Sequence, residues 1–125
     1  MPTYIFGLIV LVATLCAHLL GLNGYYVEYG WYDIFMHILG GLGIGISLAA
    51  FIKQNTHRII HKRRAIIIGA LIAGIIWELF EVIYNIAGYP VGTKLYFLDT
   101  LKDLVDDCIG GAFASWLFIK NEPKP

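Results

Sequence analysis

The chain has 125 residues, of which 58% are hydrophobic and only 14% charged, and its formal net charge is zero. A soluble domain of this size has too high a surface-to-volume ratio to bury that much apolar material. With a mean hydropathy of +0.71, water-soluble folds and nucleic-acid binding are set aside, and lipid is the expected solvent.

A spanning helix needs about 20 mostly apolar residues. Four stretches qualify, at about 4–22, 32–52, 65–87 and 98–119. With their short connections they use nearly the whole chain. The expected fold is all-α: a polytopic membrane protein built as a bundle of four transmembrane helices, in one domain covering 1–125.

The first span has no Lys or Arg before it, and its apolar run is long for a signal peptide. Leu15 stands before Cys16, where a lipoprotein signal needs a small residue. The segment therefore reads as retained, with His18 near its far end. The connection that follows is rich in Tyr25, Tyr26, Tyr29, Trp31 and Tyr32, the aromatic belt expected at headgroup level.

The second span opens with Asp33 and His37. Gly40 and Ser47 continue the same helical stripe, and Gly41, Gly43 and Gly45 add small residues beside it. A basic connection follows, with Lys53, Arg58, Lys62, Arg63 and Arg64, and with His57 and His61 expected in water. The third span carries Gly74, Glu78, Glu81 and Asn85 on one face. Gly88, Tyr89, Pro90 and Gly92 then read as a turn.

The fourth span carries Asp99, Asp103, Asp106, Asp107, Gly110 and Ala114 on one face. Asp99 also suits an N-cap, with Thr100 and Asp103 in the first turn. Lys120 and Lys124 follow the span. Lys and Arg thus gather in the second connection and the tail, so both termini are expected in the cytoplasm of a cell whose inner membrane holds the chain. Cys16 and Cys108 lie in apolar runs and read as small buried hydrophobes.

Seven carboxylates fall inside or at the edge of spans, where each ionised group costs about 2.5–3.5 kcal/mol at a helix centre. Residues this costly are functional candidates. Depth places them in one slab: Glu78 lies about 20 Å from the basic end of its span, and Asp33, His37 and Asp99–Asp107 enter from the opposite side. Lys102 is the basic side chain in that slab. Water, protonation or bound cations can relieve the charge, and carboxylates with imidazoles at i, i+3 and i, i+4 spacing are how bundles present metal ligands. The expected ligands of a divalent metal ion are Asp33, His37, Glu78, Glu81, Asp99, Asp103 and Asp107, with Asp106 and His18 as outlying members.

The order Tyr32-Asp33-x3-His37-x3-Gly41, then Trp77-Glu78-x2-Glu81, then Asp99-Thr100-x2-Asp103-x3-Asp107-x2-Gly110 resembles the YjdF-like bacterial inner-membrane proteins, small polytopic proteins of unassigned biochemical function. The resemblance covers the last three spans. It implies that Asp33, His37, Glu78, Glu81, Asp99, Asp103 and Asp107 form the shared polar set.

Three functions fit these residues. A membrane metalloenzyme would act on a lipid-linked or amphiphilic substrate, with His37 or Glu78 as base. A proton- or cation-coupled transporter component would use the same groups as a relay and would need homo-oligomerisation. A non-catalytic metal-binding or assembly protein would use them to hold the bundle together.

Overall fold

The computed structural model describes residues 2–54 and 61–119. Among them are four long helices, α1 (Thr3–Leu20), α2 (Tyr32–Gln54), α3 (Lys62–Tyr84) and α4 (Lys94–Phe118), and no strand. The all-helical expectation holds. Three segments are long and apolar enough to cross a membrane: Thr3–Glu28, Tyr32–Gln54 and Lys62–Tyr84. The fourth helix is as long, but its first four turns carry Asp99, Lys102, Asp103, Asp106 and Asp107.

Helix boundaries differ from the sequence expectation for local reasons. The first apolar segment does not end near residue 22. It runs on through a π-helical turn, Gly21–Tyr25, and a last turn, Tyr26–Glu28. Gly24 sits at φ 125° within that turn, a conformation open to glycine because it has no Cβ. Helix α3 stops at Tyr84, short of residue 87, because Asn85 adopts the left-handed cap at φ 54°. Helix α4 starts at Lys94 because Thr93 Oγ1 accepts the Tyr96 backbone N–H at 3.3 Å. Asp99 therefore lies inside the helix, and its alternative reading as an N-cap is corrected.

Helix α2 is the centre of the bundle. It packs against α1 on one side and most extensively against α4 on the other, while α3 packs against α4 and α2. Small residues allow this closeness. A Cβ on Gly41 would strike the Asp107 carbonyl, and one on Gly110 would strike the Ile38 carbonyl and lie 2.5 Å from the Leu42 nitrogen. The backbones of α2 and α4 are thus in contact where Asp107 leaves the chain.

The two ends of the bundle differ. At the basic end, Ala49, Ile52, Ile66 and Ile119 form a closed apolar cluster. Arg63 Nη2 donates to the Ile119 carbonyl at 3.0 Å, and Lys53 lies 5.4 Å from the Phe118 ring. His57, Arg58, Lys120 and Lys124 lie outside the described residues. At the acidic end the aromatic residues do more than mark an interface. The Tyr32 hydroxyl donates to the Ala17 carbonyl at 2.6 Å, and the Tyr25 and Tyr26 rings pack on Tyr32 at 5.6 and 5.3 Å. This ties α1 to the start of α2. Both cysteines are free; Cys16 is exposed and Cys108 half-buried, so the expectation that they are buried is corrected. Each lies on an outward helix face of the isolated chain.

Candidate metal centre

His37 organises the acidic end. It lies one turn into α2 from Asp33, on the face turned to α4, and is 6% exposed. Its Nε2 stands 3.7 Å from Asp33 Oδ1 and 3.8 Å from Asp103 Oδ2. Both separations are too long for hydrogen bonds. On the other side of the ring, Nδ1 meets Asp107 Oδ2 at 3.4 Å. Asp103 and Asp107 are presented together because they lie four residues apart on α4. Both are buried.

Lys102 supplies the countercharge. Its Nζ lies 2.7 Å from Asp33 Oδ2 and 3.1 Å from Asp99 Oδ1. It also lies 3.0 Å from Asp103 Oδ1, as an ion pair without hydrogen-bond alignment. The oxygens that Lys102 engages on Asp33 and Asp103 are not the ones that face His37. Each carboxylate therefore turns one oxygen to the ammonium and the other to the imidazole.

The remaining expected residues surround this core. Glu78 is buried and accepts the Thr100 hydroxyl at 2.7 Å through Oε2, while its Oε1 has no hydrogen-bond partner. Glu81 accepts the Trp77 indole N–H at 2.9 Å on its own helix. His18 packs edge-on against Trp77 at 4.8 Å and pairs with the Tyr26 hydroxyl at 2.7 Å. Asp106 is buried, and its Oδ2 lacks a hydrogen-bond partner. Direct polar contacts thus join Asp33, His37, Asp99, Asp103 and Asp107 through Lys102 and the imidazole. Glu78, Glu81, His18 and Asp106 line the same end of the bundle by other contacts.

Among the described residues, one carboxylate/imidazole group offers three donor atoms close enough to share an ion: Asp33, His37 and Asp103, all within 4.8 Å of one another. Two ligands about 2.1 Å from a common ion stand about 3.0–3.5 Å apart in octahedral or tetrahedral geometry. The observed 3.7 and 3.8 Å at His37 Nε2, with all three donor atoms inside 4.8 Å, are longer than this, so an ion would have to draw the two carboxylate oxygens inward. The surroundings also fit. Metal-bound imidazoles usually give their second N–H to a carboxylate, and Asp107 stands where that acceptor is needed. Three protein donors of this kind could in principle hold a divalent cation.

Sequence reasoning found the carboxylates and His37 and named Lys102 as the basic side chain of the slab, without pairing it to particular carboxylates. Its i−3 and i+1 neighbours, Asp99 and Asp103, were the available signal. Trp77 and Thr100 stood in the quoted motifs, but nothing in the sequence marked them as the partners of Glu81 and Glu78.

An all-helical chain with apolar spans and a buried polar cluster is a helical membrane protein. A family model described as "Predicted membrane protein (DUF2238)" matches residues 2–122, and the chain belongs to that family. The match agrees with the resemblance of its polar motifs to a small polytopic membrane-protein family. No curated protein and no solved structure matches the chain.

Proposed function

We propose that the chain is a four-span membrane protein that binds a divalent cation through Asp33 Oδ1, His37 Nε2 and Asp103 Oδ2, at a site opening to the outer face. The observation that carries this reading is the gap at His37 Nε2, flanked by two carboxylate oxygens at 3.7 and 3.8 Å, with Asp107 on the opposite nitrogen. Three carboxylates share the one ammonium and Asp107 adds a fourth beside His37, an excess of negative charge that a divalent ion would largely neutralise.

In this reading α4 crosses with the other three helices because its acidic face is turned into the bundle. Its outward residues Leu101, Val105, Ile109 and Phe113 are apolar and exposed. Lys and Arg at the opposite end support an orientation with both termini in the cytoplasm, in a bacterial inner membrane, and residues 1–125 are read as one domain.

The residues supply defined parts. Asp107 fixes the His37 tautomer so that Nε2 carries a lone pair. Lys102 holds Asp33 and Asp103 in place. When bound, the cation would supply Lewis-acid activation of an oxygen ligand. Three protein ligands leave coordination positions for water or substrate, as in catalytic rather than closed sites. We favour a reaction on an amphiphilic or lipid-linked substrate. A relay across the bilayer is less well supported, because Ala49, Ile52, Ile66 and Ile119 close the basic end.

Titrating the EDTA-treated protein with Mn²⁺ or Zn²⁺ while following its thermal transition tests this reading. A saturable rise in melting temperature, absent in His37→Ala, is expected. A transition unmoved by either ion contradicts it.

A further inference from the structure

A groove of about 210 Å³ runs between α1 and α3 across the face of α2, and the metal reading uses only His37 and Asp107 at its end. Its apolar part is walled by Leu11 and Leu15 of α1, Ile44 of α2, and Ala70 and Ala73 of α3. Gly40, Gly41 and Gly74 leave its floor without side chains. At its outer end it reaches His18, Tyr26, Trp77, His37 and Asp107.

The groove exists because α1 packs on α2 and not on α3 along most of its length. The His18–Trp77 contact at 4.8 Å joins the two helices at the top. Below it the window faces whatever surrounds the bundle, which in a bilayer is hydrocarbon.

Its lining chooses the occupant. From Ile44 to Met36 along α2 is about 12 Å. A groove of about 210 Å³ with apolar walls over that length, and His18, Tyr26, His37 and Asp107 at one end, matches an extended hydrocarbon chain with a polar head. The polar end takes a head that donates hydrogen bonds: Asp107 uses Oδ2 for His37, and its Oδ1 lies on the Gly40 side.

We propose that this groove binds a single-chain amphiphile, with the chain between α1 and α3 and a hydrogen-bond-donating head beside Asp107 and His37. This deepens the reading above by naming the substrate class. It rests on the membrane placement and needs no cation.

The test uses protein in vesicles of two-chain phosphatidylcholine, so that the probe is the one single-chain lipid present. The probe is hexadecanol carrying a diazirine in its chain. After illumination, adducts are mapped by peptide mass spectrometry, with and without EDTA. Adducts are expected on residues 11–15 and 70–74. Gly40→Leu and Ala73→Leu, which fill the groove from two different helices, should each cut them by about tenfold or more. Ala112→Leu fills a separate apolar hollow between α3 and α4 and should leave them unchanged.

Adducts spread evenly over the outward faces of the wild-type protein would overturn the proposal, and this outcome needs no variant. So would full labelling of Gly40→Leu and Ala73→Leu proteins that keep the wild-type melting transition. Labelling that survives EDTA while metal titration fails would retain the groove and remove the cation, whereas the reverse pattern would remove the groove alone.

Discussion

His37 Nδ1 meets Asp107 Oδ2 at 3.4 Å, and this pairing determines what the other ring nitrogen can do. If Nδ1 holds the proton, Nε2 is left as an acceptor facing Asp33 and Asp103. Two carboxylates and an imidazole lone pair repel one another unless a cation or proton lies between them.

Asp107→Asn keeps the size of a side chain packed against Gly74 but removes the acceptor charge. Divalent-cation affinity should fall about 10–100-fold, as for other outer-shell partners of metal-bound histidines. Asp99→Asn, which touches the site through Lys102, should change affinity far less. Calorimetric titration of both variants measures the difference.

Lys102→Met removes the ammonium that Asp33, Asp99 and Asp103 share. Loss of hydrogen bonds to a charged group costs about 1.5–3 kcal/mol, here moderated by partial exposure. In EDTA the variant should melt below the wild type. Added divalent cation should restore more stability to it than to the wild type, because the ion then replaces the missing positive charge. Thermal unfolding with and without cation reads both effects.

Gly110→Ala and Gly40→Ala should diverge, although each substitution adds the same single methyl group. A Cβ at Gly110 meets backbone of α2, whereas at Gly40 its nearest neighbour is Asp107 Oδ1 at 3.9 Å. Backbone cannot yield as a side chain can, so Gly110→Ala should cost about 1–3 kcal/mol. Gly40→Ala should be neutral or stabilise by up to about 1 kcal/mol through helix propensity. Equal melting temperatures would refute the close packing of α2 on α4.

Orientation is open to chemical labelling. In a background with Cys16 and Cys108 replaced by serine, Glu28→Cys should react with an impermeant maleimide on intact cells. Arg64→Cys should react after the membrane is opened. The opposite pattern would invert the proposed topology and place the acidic end in the cytoplasm.

The helices were legible because apolar runs of membrane length admit few other structures. Their ends were less so. Asn85 and Thr93 set two boundaries through cap geometry, which hydropathy does not register. Within the site, i, i+4 spacing placed Asp33 with His37 and Asp103 with Asp107, so the convergence of α2 and α4 could be expected. Which oxygens meet which partners could not, since that depends on the approach of two backbones at Gly41 and Gly110. Glu78 and Glu81 show the same limit. Their depth was readable, but their attachment to Thr100 and Trp77 is a matter of rotamer.

Elemental analysis of the protein purified without chelator tests the central claim most directly. One equivalent of a divalent metal per chain is predicted for the wild type, falling to background in a folded His37→Ala protein. A folded wild type that carries none, and takes up none when it is supplied, would contradict a cation site at Asp33, His37 and Asp103.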